Sequence, residues 1–588
     1  THYDGREVPR ATKERLLAAL GVREDRPPEA AGLPDFHADP EARAPMPETL
    51  RRAPAWGLFC QLYELRSARS WGIGDFGDLA RLATIAGEAG ADFLGVNPLH
   101  ALFLAEPERA SPFHPSNRRF LNPLYIAMDD LPARPEAPAE ALARLNAAEL
   151  VDYQEVARLK LAALKGIHAR RPFEGARFPE ADFTAFLEEH GEALRRHALF
   201  EALSLELAAQ GHGAGWRGWP ESFRSADSPA VAAFAAARSQ ELHFHLWLQW
   251  IAHRQLSSAR AAAQEAGMRI GLYLDLAVGE APDGSATWSA PGLYLEGLVV
   301  GAPPDVFSKD GQVWNLAAFN PVALSAEYYA PLRALLAAQF RHAGALRIDH
   351  VMALRQLFLI PEGESAANGT HMAYPLAKMV KAVAEEAARH GAVVIGEDLG
   401  WVPPGFREAM AAANLLSYRI FYFEQEWGLF RRPATYPEMA LACLSTHDLP
   451  TLAAWWRGDD IALRARHGLI DPDTAREQTG RRAEERVALV NALIDAGELA
   501  PGDAAGSADS LPPQVLPAAC RFLARTPALM AAVRLADLIG PEAQTNLPGT
   551  DRTYPNWRRR APVALEDLAD HPVFREVTDA MRALRPRR

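Results

Sequence analysis

The sequence predicts an α/β protein, a (β/α)8 TIM barrel with large helical insertions after strands 2 and 7 and an extended N-terminal arm. Three apolar runs carry this prediction, each ending in titratable side chains. Ala345-Leu346-Arg347-Ile348-Asp349-His350 closes a run of small and apolar residues, 391–400 places Glu397 and Asp398 where its apolar stretch stops, and 441–448 does the same with His447 and Asp448. Carboxylates at the ends of buried strands are expensive to desolvate unless they do chemistry. Three such strands, with helical sequence between them, match a parallel barrel that builds its active site at the C-terminal ends of its strands.

Residues 1–54 read as an N-terminal arm and linker: a short helix over 11–20, then Pro27, Pro28, Pro34, Pro40, Pro45, Pro47 and Pro54, which interrupt every regular pattern. The chain begins Thr1-His2-Tyr3 with neither an initiator Met nor an apolar signal segment, so its start reads as processed or truncated. The catalytic barrel is expected over 55–560, with a first strand in 56–65, a helix over 76–89 and a second strand in 91–99. The loop between them, Gly72-Ile73-Gly74-Asp75-Phe76-Gly77, matches the dinucleotide fingerprint literally. Asp75 would face a pyrophosphate with like charge, and no apolar strand immediately precedes the first glycine, so a tight β-to-α loop is expected instead.

The Pro- and aromatic-rich segment around Ser111-Pro112-Phe113 falls on the barrel rim, and 130–266 form a helical insertion with Leu and Ala recurring at three and four spacings. His243 and His245 lie within it, but at a spacing of two on a helix they diverge, which suits packing better than metal binding. Strand three lies in 268–278 with Asp275 near its end. A loop rich in Gly, Pro and aromatics is expected over 279–321, carrying Asp305, Gln312 and Trp314. A Trp beside amide and carboxylate groups suits sugar, which has an apolar face to stack and hydroxyls to bond; Trp314 capping the core is the alternative. Strands four and five are the first two runs above. The sixth is in 418–424, the seventh in 440–447 and the eighth in 531–535, with a second helical insertion over 451–525 and a C-terminal helix and tail over 561–588.

At 588 residues the chain fits a decorated barrel. A composition of 49% hydrophobic and 23% charged residues, with no apolar run near the ~20 residues of a membrane span, argues against a membrane protein. A net charge of −12 without a basic face argues against nucleic acid and favours a neutral substrate. Cys60, Cys443 and Cys520 are odd in number and far apart, which argues against a disulfide framework and favours a reducing cytoplasm.

Carboxylates on neighbouring strand ends suit retaining glycoside chemistry, in which a nucleophile and an acid/base stand ~5 to 5.5 Å apart. Metal ligation by Asp349, Glu397, Asp398, Asp448 and the two His residues competes with that use, although the sequence has no dense ligand cluster. A salt-bridge network is the third possibility.

Several further segments point one way: Trp71-Gly-Ile-Gly-Asp-Phe-Gly-Asp78, Tyr273-Leu-Asp-Leu-Ala-Val278, Pro303-Pro-Asp305, Leu346-Arg-Ile-Asp-His350, Gly396-Glu-Asp-Leu-Gly400, Thr446-His-Asp448, and Asn546-Leu-Pro-Gly-Thr550 with Asn556-Trp557-Arg558. With these in order, the chain resembles the 4-α-glucanotransferases known as amylomaltases or disproportionating enzymes, glycoside hydrolase family 77 of the α-amylase clan. The resemblance implies Asp349 as nucleophile, Glu397 as acid/base and Asp448 as transition-state stabiliser. It further implies Arg347 as the group orienting the nucleophile, His447 at the cleavage subsite, and Asp275, Asp305, Gln312, Trp314 and Asn546 as contacts to glucose units. The family needs no metal or organic cofactor, and its partners are maltodextrins and other α-1,4-glucans derived from starch or glycogen. Asn315 after Trp314, Phe113 where many relatives have Tyr, and Val351 after the His depart from the family pattern and bear on acceptor preference and loop shape. A hydrolase or debranching-type transferase of the same clan, or an inert glucan-binding protein, are the competing functions.

Overall fold

Eight short parallel strands close on themselves: β1 (Ala55–Cys60), β2 (Phe93–Val96), β3 (Gly271–Leu276), β4 (Ala345–Ile348), β5 (Val393–Gly396), β6 (Leu416–Ile420), β7 (Ala440–Cys443) and β8 (Met530–Arg534). A computed structural model describes residues 7–22, 40–136, 138–304, 310–504 and 508–587. Each strand pairs with its sequence neighbours, and β8 returns to β1, so the sheet has no edge. The (β/α)8 barrel expected from the sequence is the fold. Strand residues are almost all buried, since helices cover one face and the barrel interior the other. Gly95 in β2 shows how tightly that interior is filled: a Cβ there would stand 2.0 Å from the Phe59 ring and 2.7 Å from that of Tyr273. Without it, Phe59 and Tyr273 close to 5.0 Å between ring centres beneath the barrel mouth.

Between β2 and β3 lie the helices Ala139–Ala147, Tyr153–Arg170, Glu180–Ala209, Pro229–Ala237 and Ser239–Glu265; between β7 and β8 lie Leu452–Arg457, Asp459–Arg466, Pro472–Asp495 and Val515–Ala524. The stretch 279–321 departs from the expected loop. Leu298–Ala302 and Gln312–Leu316 pair with Gln356–Pro361 and Thr370–Ala373 into a four-stranded antiparallel sheet beside the barrel. Its strands are only four to six residues long, too short to show a clear period in the sequence. The N-terminal helix Arg10–Ala19 docks near this sheet, with buried Thr12 donating to Asn368 O at 3.0 Å and Asn320 Nδ2 donating to Ala19 O at 3.2 Å. The Gly-rich loop is a helix start: Asp75 accepts from the N–H groups of Gly77 and Asp78, so its own carboxylate occupies the N-terminus of Phe76–Glu88. His243 faces His168 at 2.7 Å while His245 is buried away from it. All three cysteines are buried free thiols.

The C-terminal helix Pro572–Leu584 delivers Arg585 under the barrel floor. Its guanidinium donates to Ala55 O in β1 (3.1 Å), Ala524 O (2.9 Å), Thr526 O (2.8 Å) and Ala528 O (2.8 Å), and burial lowers its pKa to about 10. We predict that Arg585→Ala lowers unfolding stability by about 3 kcal/mol, because it strands several buried carbonyls at once. Arg585→Lys should rescue little, a point ammonium being unable to span the same acceptors. Chemical denaturation of the variants checks both.

Candidate active site

Strand register brings the first group of polar residues together. Asp275 on β3 lies directly opposite Arg347 on β4, and Gly396 on β5 opposite Ile348, so the next residues, Glu397 and Asp349, leave the barrel side by side. Adjacent strands run ~4.8 Å apart, which sets the scale of their separation. The ladder continues past the strand ends, with Asp349 N–H donating to Leu276 O and Glu397 N–H to Ile348 O, each at 3.0 Å. Arg347 bridges the group: Nη1 donates to both oxygens of Asp275 at 2.7 and 2.8 Å, and Nη2 stands 2.9 Å from Asp349 Oδ1. Its cation also lies 5.5 Å over the Tyr418 ring, a residue that the sequence offered only as part of a strand.

Glu397 is fixed from two sides, accepting from His350 N–H at 2.9 Å and from Leu399 N–H at 2.7 Å. The first bond requires His350 to sit in the left-handed region, φ 47°, a conformation His tolerates better than most side chains. Burial, assisted by the charge of Asp349, raises the Glu397 pKa to about 7 against the opposing pull of Arg347 and these two bonds. Burial likewise lifts Asp275 to about 6, with Asp349 adding to the rise and Arg347 opposing it.

The second group comes from beyond β7 and from the chain after β8. Asn546 Nδ2 donates to Asp448 Oδ1 at 2.6 Å, His447 Nε2 is 3.3 Å from Asp448 Oδ2, and Gln544 Nε2 donates to Asp448 O at 2.7 Å. Burial acts to raise the Asp448 pKa, but His447 and the Asn546 bond outweigh it and hold the group below the usual carboxylate range. Phe113 joins the two groups: it stacks on His447 at 4.7 Å, contacts Trp557 at 5.5 Å, and lies 5.9 Å under the Arg347 cation. Trp557 and Gln544 are the neighbours that sequence reasoning missed; Trp557 stood in a quoted motif, whereas Gln544 carries no local signal. One cavity at the mouth is lined by Tyr273, Asp275, Arg347, Tyr418, Thr446 and His447.

The small sheet supplies the remaining residues. Trp314 is half-buried, its Nε1 donates to Gln312 Oε1 at 2.9 Å, and its ring meets His350 edge-on at 5.1 Å. Trp314 therefore neighbours the backbone that holds Glu397. Asp305 lies outside the described residues. Among the described residues, no group of three or more His, Cys, Asp or Glu is arranged to hold a metal. The arrangement is thus a buried, proton-retaining carboxyl beside a carboxylate paired with a cation, with a third carboxylate held ionised within reach of the same Arg347 charge. That combination can protonate a leaving group and attack the carbon it leaves.

The family model described as 4-alpha-glucanotransferase, glycoside hydrolase 77, matches residues 60–565. A 4-alpha-glucanotransferase of Mycobacterium tuberculosis is 38% identical over 565 residues, covering 92% of this chain and 76% of the relative. One of Haemophilus influenzae is 35% identical over 539 residues, covering 87% and 76%. The crystal structure of amylomaltase from Corynebacterium glutamicum superposes with a TM-score of 0.82 at 33% identity, covering 92% of this chain and 77% of that one.

Proposed function

Since this chain belongs to the 4-alpha-glucanotransferases of glycoside hydrolase family 77, we propose that it disproportionates maltodextrins, moving 4-α-glucan segments between chains with retention through a glucosyl-Asp349 ester. The observation that carries this reading is the pair on neighbouring strand ends, Asp349 against Arg347 and Glu397 buried with its pKa near 7. Asp349 attacks the anomeric carbon while Glu397 gives its proton to the departing 4-oxygen, releasing the shortened glucan as an alcohol. Glu397, now ionised, takes the proton from an acceptor 4-hydroxyl, whose oxygen displaces Asp349 and restores the α-1,4 bond. Asp448, held by Asn546 and His447, would bind the sugar hydroxyls and favour the oxocarbenium-like transition state. Asp275 would orient Arg347, which donates to both its oxygens, and, from its place in the cavity lining, would also contact glucose as the resemblance implies. Asp305, Gln312 and Trp314 would contact glucose units, as the resemblance implies.

Residues 55–560 would form the catalytic unit, with 130–266 and 451–525 as its insertions. No helix among the described residues is long and apolar enough to cross a membrane, and three buried free thiols suit the proposed cytoplasmic setting.

Incubation with maltotriose alone tests the reading. Glucose and longer maltooligosaccharides are expected without a net gain in reducing ends. Growth of reducing ends would make the chain a hydrolase, and an absence of products would leave a glucan-binding protein.

Trp314 is predicted to govern the choice between water and sugar. An acceptor glucan competes with solvent only through positioning, for which effective molarities can reach ~10⁵ M. Trp314→Ala should therefore raise the hydrolysis-to-transfer ratio with maltotriose several-fold, read as reducing-end gain against longer products. An unchanged ratio in the folded variant would return Trp314 to a packing role against His350.

A further inference from the structure

Beside the cleft lies a second cavity, of about 440 Å³, formed by the helices Leu452–Arg457 and Asp459–Arg466 and the segment 542–559. That volume falls in the ~300 to 1,000 Å³ range of small-molecule sites. Its lining includes three carboxylates, each held in an ion pair: Arg457 is shared between Asp459 at 2.7 Å and Glu542 at 2.6 Å, and Arg482 stands 2.8 Å from Asp460. Paired in this way they offer fixed hydrogen-bond acceptors without a bare negative field. Donors come from Arg466, His467 and Arg559, and neither of these arginines makes an ion pair among the described residues. Pro450, Ala454 and Leu463 supply apolar wall. Acceptors and donors without a dominant sign of charge, set against apolar surface, suit a neutral polyhydroxylated ligand.

Gln544 lines this cavity and touches the catalytic group as well. Its Nε2 donates to the carbonyls of Asp448 (2.7 Å) and Asn546 (2.8 Å), and its buried Oε1 makes no hydrogen bond. A ligand in the second cavity would therefore press on the residue that anchors Asp448.

We propose that this cavity is an ancillary binding site for a stretch of α-1,4-glucan, held alongside the catalytic cleft. The ligand class rests on the transferase reading above; the site's existence does not. In an Asp349→Asn background, which stops turnover, maltoheptaose is titrated calorimetrically into the parent and into variants carrying Ala462→Trp or Thr553→Trp. Each of these residues lines the cavity from an exposed position, so an added indole fills it from outside, and either variant serves if the other fails to fold. The expected result is one fewer maltoheptaose bound per chain in the filled variants. Equal site numbers in parent and folded variants would overturn the proposal. It would also be overturned if the filling abolished binding of glucose 1-phosphate and left maltoheptaose binding intact, because the cavity would then be an anion site. The transferase reading is judged separately, by the action of the unmodified chain on maltotriose.

Discussion

Replacing Asp349 by Asn is expected to lower glucan transfer by on the order of 10⁴-fold or more and to leave the fold intact. Asn keeps the shape of Asp, and its amide oxygen can still accept from Arg347 Nη2, now 2.9 Å from Asp349 Oδ1. Arg347 is also not left unpaired, since Asp275 retains its two hydrogen bonds to it. Under the proposed mechanism, what disappears is the attacking charge, and with it the covalent route. Transfer from maltotriose, measured beside a thermal melt, checks the claim; a folded variant keeping more than a few per cent of transfer would place the nucleophile elsewhere.

The second large effect concerns Glu397. With its pKa raised from 4.5 to about 7, the group keeps its proton across the interval in which an exposed carboxyl would have lost it. Its acid form is abundant below about pH 7 and is lost above it, so kcat/KM for maltodextrins should fall on the alkaline side with an apparent pKa near 7. Glu397→Gln should abolish maltodextrin turnover, because an alcohol leaving group needs that proton. A glucosyl fluoride, whose leaving group does not, should still glycosylate the variant, and without the alkaline limb. Equal loss with both donors would assign the acid to another residue. In the proposed mechanism the same geometry would carry the change from acid to base: with Asp349 esterified, its charge would no longer raise the Glu397 pKa, while Arg347 would still lower it.

The strands were legible because they end in chemistry. Asp349, Glu397 and Asp448 stand where apolar runs stop, and a buried parallel strand needs such a run. Register was not legible. That Asp275 meets Arg347 head-on follows from which residues pair across β3 and β4. The left-handed turn at His350 left no glycine to mark it, and the small sheet around Trp314 left no clear alternation. Gln544 was invisible because its importance arises from contact with Asp448, nearly a hundred positions away in the chain.

The β1 to β8 seam, clamped from below by Arg585, also has a consequence for how the chain reaches this state. The first barrel strand finds its second neighbour only in residues 530–534, so during synthesis β1 must wait for almost the entire chain with one row of backbone groups unpaired. Open strand edges recruit other chains, and contacts so distant in sequence form slowly. The vulnerable species is therefore a nearly complete barrel lacking its last strand and the helix that locks it, and refolding yield should fall with protein concentration more steeply than the stability of the closed barrel would suggest.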